Sequence, residues 1–246
     1  MTAPLDPVGR RAELAANLES VRQDVAQTCR RNDRDPSEVE IVAVTKTFPA
    51  SDVIHLVELV MTDVAENRDQ EAAPKAREVA DSGAHPRWHF VGRLQRNKCR
   101  SVVEYADLVQ SVDRSALIAA LDTAALARRR DPLPVLLQLS LDGDLARGGA
   151  PESEDATLVE QTLRCKGLRL AGVMSVAPRN WDPSKAFDTL ASRVERIRRI
   201  APEATVVSAG MSGDYRTAIA YGATMIRLGA KLLGRRPDVG YPDGRG

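Results

Sequence analysis

Apolar residues recur at steps of three or four from about Arg10 to Arg31, at Leu14, Leu18, Val21, Val25 and Cys29, which predicts one amphipathic helix. Asp35-Pro36 breaks that pattern, and the chain then alternates between short apolar runs and helical periods. Strand-like runs fall at Ile41–Thr45, Asp63–Ala65, Trp88–Val91, Leu108–Ser111, Val135–Ser140, Ala171–Val176, Thr205–Ser208 and Thr224–Leu228. Pro49-Ala50-Ser51 precedes a helix bearing Val53, Leu56, Val57 and Val60. Asp113 is expected to cap a helix running to Arg130, and Asp182-Pro183 to start another through Ile200. Eight strands, each followed by a helix, predict an α/β fold: a single (β/α)8 TIM barrel with an extra N-terminal helix. An open doubly wound sheet is the alternative, but no G-x-G-x-x-G follows the first strand. No repeat, low-complexity segment or linker interrupts the pattern, so residues 1–246 read as one domain, with residues 1–7 and about 237–246 expected to be flexible tails.

Two of these strand ends carry glycine. V206-V-S-A-G-M-S-G-D-Y-R216 and M225-I-R-L-G-A-K231 follow the seventh and eighth runs and lead into helices. Strand-to-helix turns of this kind expose backbone N–H groups suited to a phosphate. In such barrels the active site lies at the C-terminal ends of the strands, and the loops after strands seven and eight often bind phosphate. Lys46 ends the first strand, which barrel closure places beside the eighth. A lysine there with a phosphate cradle suits an aldehyde cofactor that carries a phosphate. The plainer reading is a lysine pointing into water, since an amine becomes a nucleophile only when burial or a nearby cation lowers its pKa from about 10.4.

Arg227 sits two residues before Gly229 in the eighth strand. It either pairs with an acid at the rim or, if a pyridine ring occupies the mouth, donates to the ring nitrogen and keeps it unprotonated. His89 ends the third strand, where a core histidine with a backbone partner is the preferred reading. Asn67 ends the second, where it either donates to a ring substituent or caps the next helix. The run L94-Q-R-N-K98 opens a helix and shapes the rim.

Composition narrows the possibilities. Lysine and arginine total 35 against 34 acids, a net charge of +1, which argues against a nucleic-acid footprint. Arg128-Arg129-Arg130 and the arginines from Arg193 to Arg199 read as solvated helix faces. Three scattered cysteines form no CxxC pair, which fits a reducing compartment. No cluster has metal-ligand spacing. No apolar run is long enough for a membrane span, and no leader is evident, so a cytoplasmic location is expected.

Several stretches together resemble the pyridoxal phosphate homeostasis protein family, also called proline synthetase co-transcribed homologues: A43-V-T-K46, A65-E-N67, H89-F-V-G-R-L-Q-R-N-K98, G172-V-M174, S208-A-G-M-S-G-D214, and I226-R-L-G229 with G234-R235. The resemblance implies a barrel of the alanine racemase N-terminal type that holds pyridoxal 5′-phosphate (PLP) as a Schiff base on Lys46. It implies that Arg227 faces the pyridine nitrogen and that Ser208, Gly229 and Ala230 take the phosphate. Asn67 and Met211 would line the ring, Gly210 and Ser212 would support the phosphate turn, and His89, at the head of the most specific motif, joins the cofactor-site candidates. The chain departs from the family pattern at Ala65, usually glycine, and at Phe48 and Arg147, where lysines are common. The implied function is a carrier and buffer of PLP in vitamin B6 homeostasis, without catalytic turnover. PLP-dependent apoenzymes are possible recipients, and a monomer is expected. The alternative is a racemase or decarboxylase of the same fold, but those enzymes carry a second, β-rich domain, and only eleven residues follow Arg235. A third reading is a class I aldolase-like barrel using Lys46.

Overall fold

In the computed structural model, residues 7–144 and 147–234 are described. The expected flexible tails lie outside these residues, except for Pro7, which opens the first helix; Arg235 also lies outside them. Eight strands pair in parallel and in chain order into a closed barrel: β1 (Glu40–Val44), β2 (Asp63–Glu66), β3 (Arg87–Phe90), β4 (Leu108–Val112), β5 (Leu133–Leu139), β6 (Leu168–Ser175), β7 (Val206–Ser208) and β8 (Met225–Leu228). The helices are α1 (Pro7–Arg31), α2 (Ala50–Glu58), α3 (Asp69–Asp81), α4 (Cys99–Tyr105), α5 (Ser115–Arg128), α6 (Asp155–Arg164), α7 (Pro183–Ile200), α8 (Tyr215–Ala220) and α9 (Ala230–Leu233). Each strand is thus followed by a helix, with α1 as the addition, and the open-sheet alternative is excluded by the β1–β8 pairing.

The period-two alternation of strands divides the core. Val42, Ala65, Leu108, Leu136, Ala171, Met174 and Met225 fill the barrel interior. Neighbours of opposite phase, such as Phe90, Val109, Val135 and Val207, pack outward under the helices. The stripe read on α1 is its buried face. Leu14 and Leu18 meet Val53 and Leu56 of α2 and Leu232 and Leu233 of α9, while Val21, Val25 and Cys29 meet Tyr215, Ile219, Ile226 and Leu228. α1 therefore lies across the seam where the first and last strands join.

A local signal explains the start of α7. Asp182 caps α7, its carboxylate accepting from the amides of Ser184 and Lys185, with Pro183 preset for the first turn. Asp113 does not cap α5 as expected. Arg114 takes the N-cap position, and the Asp113 carboxylate instead accepts from the Arg114 guanidinium at 2.5 Å and the Gly149 amide at 3.3 Å. The run after β3 makes one 3-10 turn at Arg96–Lys98 before α4 begins at Cys99. Arg193 also departs from expectation: it is 1% exposed and chelates Asp155 at 2.5 and 2.9 Å, so only part of that arginine run is a solvated face. No helix among the described residues is long and apolar enough to cross a membrane.

Candidate functional site

The closing register brings the flagged elements to one end of the barrel. Val42 of β1 is opposite Arg227 and Ala43 opposite Leu228. A methyl built on Gly229 would touch the carbonyl oxygen and Cβ of Val44 at 3.6 and 3.7 Å. Lys46, two residues beyond Val44, thus leaves β1 beside the β8–α9 loop, at the C-terminal mouth. The β7–α8 loop flanks it, since Arg227 donates its amide to the Gly210 carbonyl at 3.0 Å.

Lys46 is half-buried in a tight turn closed by the Phe48 amide on the Thr45 carbonyl at 3.0 Å. Thr47 follows it at φ +72°, a left-handed conformation that disfavours a β-branched residue and costs about 1–3 kcal/mol. That strain persists because Thr45 is held from both sides. Its hydroxyl donates to Glu66 Oε1 at 2.7 Å, and its carbonyl accepts from Lys75 Nζ at 3.0 Å. Lys75 also pairs with Glu66 at 2.6 Å, and burial raises the Glu66 carboxyl above its ordinary range despite that cation. Glu66 and Lys75 were not flagged from sequence. An acid ending the short second strand was the available signal.

Asn67 sits half-buried just beyond β2 and does not cap α3, whose N-cap is Arg68. Its backbone is pinned instead by Gly92, where any Cβ would come within 1.8 Å of the Asn67 carbonyl oxygen. The glycine of the His-Phe-x-Gly string therefore exists to let two mouth loops touch. Beside them lies a cavity of about 460 Å³ bounded by Asn67, Arg93, Gln95, Lys98 and Arg114.

In the β7–α8 loop, Gly210 has φ +93°, and an added Cβ would lie 2.7 Å from Tyr215 Cα and Ala218 Cβ. Gly210→Ala is expected to cost at least roughly 1–2 kcal/mol from the backbone alone, seen as a lower urea midpoint. Asp214 turns back to accept from the Met211 amide at 2.7 Å, and the Met211 side chain is 41% exposed at the rim. Among the described residues, no acceptor engages the amides of Ser212 and Gly213 or those of Ala230 and Lys231. Two loops thus present backbone donors side by side, as a phosphate requires.

Arg227 is 4% exposed inside the barrel, in phase with Met225. It forms no ion pair among the described residues, so the rim-acid alternative is excluded. Its guanidinium donates to Ser208 Oγ at 2.6 Å and to the Ser175 carbonyl at 2.9 Å. Burial pulls its pKa down to about 10, with Asp214 acting in the opposite direction, so it stays charged at neutral pH. The Ser208 hydroxyl, expected to take a phosphate, is spent differently: it accepts from Arg227 and donates to Gln110 Oε1 at 2.7 Å. The reason is phase, since Ser208 follows Val206 into the barrel interior. His89 is a core histidine with side-chain rather than backbone partners. Its Nε2 meets Asp63 at 2.9 Å and its Nδ1 meets Gln110 at 2.7 Å. Gln110 and Asp63 went unflagged, although each is a polar residue at an inward-facing strand position.

Neither lysine common in the family has a cationic counterpart that is free at this mouth. Phe48 is buried beneath the Arg10 guanidinium, 5.6 Å from its ring centroid, and Arg147 is paired with Asp142 at 2.5 Å.

Comparisons with known proteins place this arrangement. The sequence profile described as alanine racemase, N-terminal domain, matches residues 12–237. A pyridoxal phosphate homeostasis protein of Mycobacterium leprae is 40% identical over 253 residues, covering 95% of this chain and 97% of its own. One from Corynebacterium glutamicum is 38% identical, covering 85% and 96%. Among solved structures, PipY of Synechococcus elongatus PCC7942 with PLP bound superposes with a TM-score of 0.76 at 31% identity, covering 90% of this chain and all of that one. Alanine racemase of Corynebacterium glutamicum shares the fold at a TM-score of 0.69 and 13% identity, covering 94% of this chain and 63% of the enzyme. The closed barrel with its lysine turn and paired mouth loops is thus of the alanine racemase N-terminal class. Within that class, the chain belongs to the pyridoxal phosphate homeostasis protein family.

Proposed function

We propose that this protein binds PLP at the barrel mouth and serves as its carrier and buffer, without catalytic turnover. The observation that carries the reading is the meeting of three features at one strand end. They are the strained turn presenting Lys46, two loops whose amides have no acceptor among the described residues, and a buried guanidinium that forms no ion pair among them. A phosphate, an aldehyde and a ring nitrogen are the complementary groups. The relative PipY was solved with PLP bound, and the curated relatives are named for pyridoxal phosphate homeostasis.

On this reading Ser212, Gly213, Ala230 and Lys231 offer amides to the phosphate, with Gly210 and Gly229 shaping the two loops. Lys46 is the covalent anchor, Asn67 and Met211 flank the ring, and Arg227 meets the ring nitrogen. When bound, PLP supplies an aldehyde that an amine captures reversibly with loss of water, and a pyridine ring able to accept electron density. Arg227 does not release its proton, so it leaves that ring a weak electron sink, which suits storage better than transamination. PLP-dependent apoenzymes are the recipients this function calls for, and a cytoplasmic monomer is the form expected to serve them.

Titrating purified protein with PLP, then reducing with borohydride and locating the added mass, tests the assignment. A visible-edge absorption band and a mass increment on Lys46 are expected. Robust racemisation or decarboxylation of an amino acid by the same preparation would overturn the carrier reading.

A further inference from the structure

The interior of such a barrel is ordinarily packed with branched apolar side chains. Here one continuous polar chain runs through it instead, joining β8, β7, β4, β3 and β2: Arg227 to Ser208 at 2.6 Å, Ser208 to Gln110 at 2.7 Å, Gln110 to His89 at 2.7 Å and His89 to Asp63 at 2.9 Å. Ser208, Gln110 and His89 are wholly buried. Asp63 opens β2 and so lies at the end of the barrel away from the mouth, where Thr62 donates to it and the half-exposed Arg87 pairs with it at 3.2 Å.

We infer that Asp63, Gln110 and His89 are positioning residues which, from the far end of the barrel, set the direction of every hydrogen bond up to Arg227 and so fix its orientation in the mouth. The inference rests on the reading of that mouth as a PLP site.

The direction follows from what each group can do. An ionised carboxylate only accepts, so the proton of a neutral His89 resides on Nε2. Asp63 is held below its ordinary range, His89 and Thr62 outweighing the opposing effect of its burial. The bare Nδ1 then accepts from the Gln110 amide nitrogen, which turns the amide oxygen to Ser208. The hydroxyl donates to that oxygen and keeps its lone pairs for Arg227. In the opposite arrangement the amide nitrogen faces Ser208, His89 carries its proton on Nδ1, and a bare Nε2 confronts the carboxylate. The Ser208 proton is then left without an acceptor among these groups. A buried polar group without a partner is costly, and a bare nitrogen against a carboxylate is repulsive. For a His89 carrying one ring proton, Asp63 therefore selects one of two wirings. In that state Arg227 spends two of its five N–H groups on Ser208 and Ser175, and the other three have no acceptor among the described residues.

Nitrogen-15 NMR of the histidines in the apoprotein reads the wiring directly. A proton is expected on His89 Nε2, facing Asp63, with Nδ1 bare toward Gln110; a proton on Nδ1 overturns the inference. Asp63→Asn puts at the foot a group that donates as well as accepts. It is expected to give mixed tautomers and a PLP dissociation constant raised about tenfold, equivalent to ~1.4 kcal/mol. An unchanged tautomer and unchanged affinity in that variant overturn it. If Asp63→Asn fails to fold, Gln110→Glu serves: its acceptor-only carboxylate demands a proton on Nδ1 as well, and an Nδ1 that stays bare overturns the inference. Failure of the unaltered protein to take up PLP sinks the cofactor reading and the purpose assigned to this chain. Normal uptake with an indifferent Asp63→Asn sinks the positioning role alone.

Discussion

Lys46→Ala is expected to abolish covalent capture of PLP: no visible-edge band on titration, and no cofactor retained through borohydride reduction and denaturation. The argument is chemical. Among side chains, an amine is what forms an imine with the aldehyde that borohydride reduces to a stable adduct, and Lys46 is the lysine that the β1–β8 register brings beside the β8–α9 loop. Weak noncovalent binding should survive, because the amides of Ser212, Gly213, Ala230 and Lys231 and the Arg227 guanidinium are untouched. Lys46→Arg separates the two contributions of the side chain. It restores the positive charge without a usable nucleophile, so it should recover some affinity for PLP but none of the borohydride-stable adduct. A stable adduct in either variant would place the anchor elsewhere.

The largest loss of stability is expected from Arg193→Met. Arg193 joins α7 to α6 and to the segment after β5, reaching Asp155 at 2.5 and 2.9 Å and the carbonyls of Ser140 and Ala150 at 2.5 and 3.3 Å. Removing the guanidinium leaves the Asp155 carboxylate and the Ser140 carbonyl buried without partners, while the Ala150 carbonyl still accepts from the Ser140 amide at 2.9 Å. Breaking one side of such a pair typically costs about 3–5 kcal/mol. For a chain of this size that is a melting temperature lowered by about 6–20 °C. Replacing both partners, as in Arg193→Met with Asp155→Leu, should recover much of the loss, since no uncompensated charge remains. Equal losses in the single and double variants would show that the pair acts through packing rather than charge.

Those two residues mark what sequence reading reaches. Lys46 was legible because a strand end is a local signal, and strand order then dictates what lies beside it. The eight strands and the capped start of α7 were legible for the same reason: each depends on residues within a few positions. Arg193 was legible only in phase, standing three residues after Leu190 and four before Ile197 on the buried face of α7, where Arg196 and Arg198 do not; its partner, 38 residues earlier, was not legible. Ser208 and Gln110 show the same limit, being 98 residues apart and joined only by barrel closure. Phase alone could have placed Asp63, His89, Gln110, Ser208 and Arg227 on inward positions. Which of them meet depends on strand stagger, and that is a property of the closed sheet. Asp113 failed for the opposite reason: its residue type suits a cap, but a nearby arginine and amide compete for it.

The seam under α1 joins the first strand to the last, more than 180 residues apart along the chain. Contacts so remote carry a large loop-closure cost, which slows folding. Because the proposed anchor lysine stands on one side of this joint and the loops proposed to grip the anion on the other, a half-folded chain can own neither grip in working order. Vitamin uptake by a newly made molecule is therefore a certificate of completed folding, and the ligand, bound to the finished form alone, pulls the folding equilibrium toward it.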